Sequence, residues 1–165
     1  MEKVLIGGNN MGTDLKIVTF NLGKEKFGLD IMKIDAVAEY EEVTEIPDVA
    51  DYLEGVIDFR KKEVLPLVNL RKKFKIQDFS DKTKCKVIVI KMESRKIGMM
   101  VDDVKEVKSI NSELIEEKPE VGGMHRVNFI SGIARLEDEM LIILDVDKLL
   151  TTEEKLSLEQ VVNNV

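Results

Sequence analysis

The 165-residue sequence contains no tryptophan, one cysteine and one histidine, and aromatic residues make up only 5% of it. A single cysteine cannot form an internal disulfide, which is typical of a protein in a reducing compartment. One histidine and one cysteine provide too few ligands and nucleophiles for a zinc site or a catalytic triad. These shortages favour a binding module over an enzyme.

Long apolar runs and an excess of positive charge are also missing. The longest apolar runs span about five residues, whereas a membrane-spanning helix needs about 20. The chain carries 32 acidic and 25 basic residues, a net charge of -7, and this balance disfavours nucleic acid and anionic membranes as partners. The low aromatic content also disfavours a nucleic-acid-binding barrel. The 44% of apolar residues is enough for a buried core.

Apolar phrases recur in the same order in the two halves of the chain, and the first pair is offset by 70 residues at every position. Residues 27–37 and 97–107 share a glycine and aliphatic residues at matching positions, among them Ile31 and Val101, which we expect in the core. Because several elements follow in the same order in both halves, we interpret the sequence as an internal duplication. The later matching runs are residues 55–57 and 64–70 in the first half and 132–134 and 140–146 in the second.

Short β-rich runs with few helical patterns predict an all-β fold of two small antiparallel barrels with about five strands each. The first strand can pair within its own barrel or cross to the other, and both arrangements fit the sequence. The expected organisation is a flexible N-terminal arm at residues 1–13, a first barrel subdomain at 14–80, a second at 81–150, and a C-terminal helix and tail at 151–165.

Helix-capping residues predict a few short helices. Asn69 and Asp145 end two matching apolar runs and are suited to cap the helical turns that follow. Thr151 and Glu154 have the spacing of a capping box at the start of the C-terminal helix.

The side chains best suited to chemistry have simpler structural explanations. Asp102 and Asp103 point to opposite faces if they lie in a strand, so they cannot share a proton, and we interpret them as solvated or turn-capping acids. His125, in the segment Gly122–Arg126, has no apparent nucleophile to serve, so we interpret it as an ordinary exposed histidine rather than a general base or pH switch. Cys85 alternates with apolar residues and is expected to be a half-buried strand residue.

Basic residues at a turn leave two interpretations open. Residues 60–62 are Arg, Lys and Lys, and they join two apolar strands. They either protect the strands against edge pairing or present Arg60 to a carboxylate on a protein partner. The run at residues 71–73 is interpreted as a solvated helix face, with Leu70 and Phe74 turned inward.

Five phrases, in order, resemble the CheW family of bacterial chemotaxis coupling proteins. The first of them, FGLDIMKI, is similar to the family's YGIDILKV, and the resemblance covers about residues 15–150. Lys61 stands where the family has a glycine, in a turn that looks one residue longer. Ala36 replaces an acidic residue, so no salt bridge is implied from that position. The phrases occupy residues 27–34, 55–60, 64–71, 97–104 and 140–150.

The resemblance implies a fold and a function. The fold would be two five-stranded SH3-like β-barrels with a hydrophobic groove between them. The function would be that of a non-catalytic adaptor without cofactor or metal, located in the cytoplasm and recruited to receptor arrays at the inner face of the membrane. It would link the cytoplasmic tips of chemoreceptors to the regulatory domain of the chemotaxis histidine kinase. The partner-facing positions implied are Ile34, Val37, Gly55, Arg60, Val87 and Val107, although some of them can instead be core, and Gly55 can serve backbone conformation alone.

Two other functions compete with that of an adaptor. The first is the regulatory portion of a chemotaxis kinase, or of a coupling protein fused to a receiver domain, but neither a kinase nor a receiver domain fits within 165 residues. The second is a small β-barrel enzyme, which would need reactive groups gathered around His125, Cys85 or the aspartate pairs. No such grouping is visible in the sequence.

Overall fold

The fold is taken from a computed structural model that describes residues 13–61, 63–93, 95–117 and 129–163. Nearly all of the arm expected at residues 1–13, and the loop with His125, lie outside the described residues. The described part is mostly β-strand, which confirms the all-β class. The strands are β1 (Asp14–Leu22), β2 (Glu25–Asp30), β3 (Ile34–Glu39), β4 (Leu53–Phe59), β5 (Glu63–Asn69), β6 (Lys86–Lys91), β7 (Lys96–Val101), β8 (Asp103–Asn111), β9 (Ile115–Glu117), β10 (Ile130–Arg135) and β11 (Met140–Leu144). The helices are α1 (Leu70–Lys73) and α2 (Thr152–Asn163), with 3-10 helices at Ile31–Lys33, Lys82–Lys84, Ser112–Leu114 and Val146–Lys148.

The strands form two sheets. The first sheet has the order β8-β1-β2-β11-β10-β9, and the second has the order β3-β6-β7-β5-β4. Neighbouring strands are antiparallel except in the pairs β11–β2 and β5–β7, which are parallel. Within the described residues no ladder joins the two edge strands of either sheet, so neither barrel is closed by hydrogen bonds.

The sheet orders confirm the internal duplication. Strands β3, β6, β7, β5 and β4 of the second sheet correspond to β8, β1, β2, β11 and β10 of the first, and the two sets stand in the same order. The parallel pair falls at the same place in each sheet. Both repeats also have a register shift at matching glycines, Gly55 in β4 and Gly132 in β10. The isolated bridge between Thr44 and Val56 lies where β9 pairs with β10 in the other repeat.

Each repeat contributes strands to both sheets. Strands β1 and β2 pair within the sheet that contains β8 to β11, whereas β3 to β5 pair within the sheet of β6 and β7. The boundary expected between residues 80 and 81 therefore does not separate the two sheets. The crossing in the first repeat occurs at the 3-10 helix Ile31–Lys33, which Asp30 caps by accepting a hydrogen bond from the Met32 N–H group.

The largest apolar cluster joins both sheets and α2. Phe20 of β1 and Ile88 of β6 are fully buried in it, together with Leu158 of α2. Because the sheets share this core, each buries apolar surface that it could not bury alone. Val101 is fully buried as predicted. Ile31 is only half-buried, so its prediction was wrong, because it lies in the 3-10 helix rather than in a strand.

The predicted helix caps are confirmed. The side chains of Asn69 and Asp145 accept hydrogen bonds from backbone N–H groups of the helical turns that follow them. The Thr151 N–H group donates to Glu154 Oε1, and the Glu154 N–H group donates to Thr151 Oγ1, at 2.8 and 3.1 Å. This reciprocal pair is a capping box for α2. Across the described ranges, no helix is long and apolar enough to cross a membrane.

A buried polar cluster fixes the connector between α1 and β6. The Asn69 side chain is fully buried, and its Nδ2 donates to Glu54 Oε2 and Asp78 Oδ1 at 2.9 and 2.8 Å. Lys82 donates to Glu54 Oε1 at 2.8 Å, and Lys72 lies within ion-pair distance of both carboxylates. Burial acts to raise the pKa of Glu54, but the hydrogen bonds from Lys82 and Asn69 outweigh it, so the pKa is lowered. The connector is therefore attached to the sheet by satisfied polar contacts.

Arg71 departs from the solvated helix face expected at residues 71–73. Its Nε and Nη2 donate to the two carboxylate oxygens of Asp102 at 2.8 and 2.7 Å, and its Nη1 donates to the Gln77 carbonyl. Asp102 also accepts the Gly23 N–H group at 2.8 Å. That expectation was wrong for Arg71, whose bidentate ion pair joins α1, the β1–β2 hairpin and the β7–β8 junction.

Candidate partner-binding surface

The hairpin between β4 and β5 places Arg60 at its tip. Arg60 and Lys61 both have left-handed backbone conformations, with φ of 57° and 61°. The Arg60 side chain is 58% exposed, and its guanidinium lies over the Phe59 ring, 4.6 Å from the ring centroid. This cation–π contact holds the guanidinium against the ring, while the side chain as a whole remains more than half exposed.

Asp35 is the residue next to Arg60 that sequence reasoning missed. Its Oδ2 lies 3.6 Å from Arg60 Nη1 and 3.5 Å from Lys96 Nζ. The Oδ2 atom is buried and accepts no hydrogen bond in the described part of the structure, so these two cations compensate its charge. Lys96 also reaches Glu63 at 3.5 Å. The carboxylate that pairs with Arg60 therefore belongs to Asp35, the residue before Ala36. The sequence contains this acid, but only the fold shows that it lies next to Arg60.

Two predicted residues lie on β3, an edge strand of the second sheet. Ile34 begins the strand and is partly buried against the shared core, whereas Val37 is 48% exposed. Val107 stands at the matching position of the other repeat, on β8, an edge strand of the first sheet, and is 54% exposed. An edge strand with an exposed apolar residue is a surface that a protein partner can cover.

Gly55 serves the backbone. It is buried in β4 with φ of 146°, and a Cβ there would lie 2.2 Å from the Thr44 carbonyl oxygen. Both the conformation and the close approach require glycine. Gly55 therefore fixes the strand that leads to Arg60, and offers no side chain of its own.

Val87 is part of the core. It has no accessible surface, and it lies on β6, between β3 and β7 in the second sheet. Its Cγ1 packs where Gly98 leaves space, 2.9 Å from the position that a Cβ on that glycine would take. The Val87 side chain is therefore not exposed to a partner in this conformation, which corrects its expected partner-facing position.

The six predicted residues thus do not form one continuous patch. Ile34 and Val37 lie on β3 with Asp35, which Arg60 reaches from the β4–β5 hairpin, and we name these four residues the β3-edge surface. Val107 lies on the edge of the other sheet. Gly55 and Val87 support the fold.

Among the described residues, the thiol and the aspartate side chains that could carry chemistry are inert or occupied. Burial raises the pKa of the Cys85 thiol to about 12, so the thiol is a poor nucleophile. Asp103 pairs with Lys105, and Asp147 pairs with Lys33. No group of three or more His, Cys, Asp or Glu side chains in the described ranges is arranged to hold a metal ion.

Two open sheets with a shared core, exposed valines on edge strands and an arginine at a hairpin tip define a β-barrel interaction module. Comparisons with known proteins identify its family. A family model described as a CheW-like domain matches residues 16–154. The chain therefore belongs to the CheW family, and it is a scaffold protein of bacterial chemotaxis.

Relatives are similar over nearly their whole lengths. The chemotaxis protein CheW of Klebsiella aerogenes is 34% identical over 90% of this chain and 88% of that protein. The CheW of Treponema pallidum is 29% identical over 84% of each. The crystal structure of the scaffolding protein TtCheW from Thermoanaerobacter tengcongensis matches with a TM-score of 0.77 and 31% identity, over 86% of this chain and 95% of that one.

Proposed function

We propose that this chain is a non-catalytic adaptor that couples the cytoplasmic tips of chemoreceptors to the regulatory domain of the chemotaxis histidine kinase. It acts in the cytoplasm, at receptor arrays on the inner face of the membrane. The observation that carries the proposal is the β3-edge surface, where the exposed Arg60 pairs with Asp35 of an edge strand that also carries the exposed Val37. Charge and apolar area in one place suit a protein partner.

The duplicated fold supports a protein with two partners. Val37 and Val107 occupy matching positions on the edges of different sheets, so the molecule offers two separate surfaces built on one plan. One surface can hold the kinase domain while the other remains available to the receptor. An adaptor needs this separation, because partners that compete for one surface are not coupled.

The proposal is tested with three purified components: this chain, the kinase regulatory domain and a soluble receptor-tip fragment. Analytical ultracentrifugation of pairs and of the full mixture is expected to show a complex of this chain with each partner, and a ternary complex in which both are bound. The proposal fails if the chain binds neither partner. It also fails if the two partners displace each other.

A further inference from the structure

A cleft of about 680 Å³ lies between the β3–β4 connection and α2. Leu53 and Leu158, which are both buried, line it. Val49, Tyr52 and Val161 also line it, and they pack against the shared core. The volume is in the range of sites that receive a ligand or a side chain of a partner. None of the residues of the β3-edge surface lines this cleft.

The rim of the cleft is acidic. Asp48, Glu153 and Glu154 line it, and none of the lining residues in the described part of the structure is basic. Glu154 is neutralised by Lys73 at 2.8 Å, whereas Asp48 and Glu153 have no ion pair among the contacts of the described residues. The wall formed by the β3–β4 connection belongs to residues 34–59, a stretch of nine Asp or Glu residues and no Lys or Arg. Because Asp35, Glu39 and Glu54 of this stretch are paired with cations, the negative field over the apolar opening comes from Asp48 and Glu153 at the rim.

Both walls of the cleft are anchored. The capping box fixes the start of α2, and ion pairs Lys73–Glu154 and Arg95–Glu159 attach two of its turns to the body, each at 2.8 Å. The opposite wall continues into β4, whose residue Leu53 is in the core. The cleft is therefore preformed, and a ligand would not have to open it.

We propose that this cleft binds a basic segment of a protein partner, which inserts one apolar side chain between Val49 and Val161. Lysine or arginine residues next to that anchor face Asp48 and Glu153. An apolar opening selects an apolar anchor, and the negative rim selects cations beside it and repels nucleic acid and acidic segments. This surface is additional to the coupling surfaces of the proposed function and does not depend on them.

A random-peptide library displayed on phage, selected against the folded chain, tests the proposal without knowledge of the partner. Counter-selection uses Ser157→Tyr, because Ser157 is exposed and lines the cleft, so a tyrosine there fills the opening. We expect enriched peptides with one apolar anchor flanked by lysine or arginine. Enrichment of acidic or uncharged peptides, or no enrichment over the counter-selection, would overturn the proposal.

Matched variants assign the site. Affinity for the enriched peptide, measured by fluorescence anisotropy, should fall about tenfold or more in Ser157→Tyr and stay unchanged in Leu156→Tyr, since Leu156 is 59% exposed and does not line the cleft. Glu153→Lys should weaken binding about threefold to tenfold, and Glu137→Lys, the same charge change on an exposed hairpin, should not. Circular dichroism checks that each variant folds.

Two results would contradict this occupant directly. Equal affinities of Ser157→Tyr and Leu156→Tyr would show that the peptide binds elsewhere. Concentration-dependent dimerisation that Ser157→Tyr abolishes, with no peptide enrichment, would show that a second copy of the chain fills the cleft. Neither result involves the kinase or the receptor, so the proposed coupling function would stand.

Discussion

The guanidinium of Arg60 contributes little to the stability of the fold. The Arg60 side chain is 58% exposed, and its contact with Asp35 is long, at 3.6 Å. Because Lys96 stays 3.5 Å from Asp35 when Arg60 is replaced, the replacement should change the free energy of unfolding by only about 1 kcal/mol. Aspartate tolerates the left-handed backbone at this position. If Arg60 meets a carboxylate of a partner, Arg60→Asp should weaken the ternary complex by about 2–5 kcal/mol. Sedimentation of the three-component mixture measures the loss.

Arg135 provides the matched control for this prediction. Its side chain is 60% exposed and pairs with Glu116 at 2.7 Å, at the start of the hairpin between β10 and β11. Arg135→Asp makes the same charge change on the other sheet and should leave the complex intact. Equal losses in the two variants would mean that total charge, rather than the position of Arg60, determines binding.

Gly55 should be the glycine least tolerant of a side chain. In Gly55→Ala the methyl group would stand 2.2 Å from the Thr44 carbonyl oxygen, at a φ of 146°. The steric overlap and the unfavourable backbone conformation would both strain β4 at its register shift, a β-bulge at Gly55. We expect a loss of at least about 2 kcal/mol in the free energy of unfolding, measured by urea titration. Gly23→Ala is the comparison, since its methyl group would meet only the Ile76 side chain at 3.4 Å, and about 1 kcal/mol is expected. A Gly55→Ala protein as stable as wild type would contradict this account of the bulge.

At the scale of single residues, the sequence indicates which positions are apolar, but it does not indicate which of them are buried. Val37, Val87 and Val107 are the same residue in similar apolar runs, yet Val87 has no accessible surface and the other two are about half exposed. The difference comes from strand position, because Val87 lies on an inner strand and the others on edges. The contact of Arg60 with Asp35 could not be predicted for a related reason. It depends on the fold bringing the end of β4 close to the start of β3.

At the scale of elements, the polar cluster around Asn69 should make stability depend on pH. The pKa of Glu54 is lowered from its usual 4.5 in the folded protein, so its contribution is present above that value and is lost as the pH falls through the folded pKa. Glu54→Gln should cost about 1–3 kcal/mol at pH 7, and the difference from wild type should shrink at pH 3. Denaturant titrations at the two pH values measure both effects.

A conservative substitution elsewhere serves as the control for the Asn69 cluster. Glu137 is exposed in the hairpin between β10 and β11, and Glu137→Gln should stay within about 0.5 kcal/mol of wild type at pH 7. A Glu54→Gln penalty that is as large at pH 3 as at pH 7 would show that packing, rather than charge, is responsible.

Local elements were predictable because their determinants are close in sequence. The capping box of α2 and the caps at Asn69 and Asp145 each involve residues two or three positions apart. The bidentate pair between Arg71 and Asp102 was not predictable, since 31 residues separate its members and it exists only after β7 has paired with β5. Non-local contacts of this kind decide which charged residues are solvated.

At the scale of the molecule, each sheet contains strands from both repeats. The two halves should therefore fold together in a single cooperative transition. Residues 1–80 contain β1 and β2 without their partners β8 and β11, and β3 to β5 without β6 and β7. Fragments 1–80 and 81–165 should therefore both lack cooperative thermal unfolding and dispersed amide NMR spectra, while the intact chain shows a single transition. Independent folding of either fragment would contradict the shared core.

The duplication could be recognised from sequence, but the division of strands between sheets could not. Matching phrases in the same order reveal repeated strands, since apolar patterns are preserved at equivalent positions. The phrases do not reveal which strands pair with each other. A strand and its counterpart in the other repeat have similar edges, so a third strand could pair with either. The short 3-10 helix at Ile31–Lys33, where the chain crosses from β2 to β3, has no strong sequence signal beyond the cap at Asp30.

The activity of the histidine kinase, measured in membranes that contain the receptor as the purified chain is added, tests the coupling function most directly. The account predicts that kinase activity rises with the concentration of this chain, reaches a plateau, and responds to the receptor's ligand only when the chain is present. Arg135→Asp should behave as wild type in this assay. Kinase activity that is controlled by the receptor equally well without the chain would contradict the account.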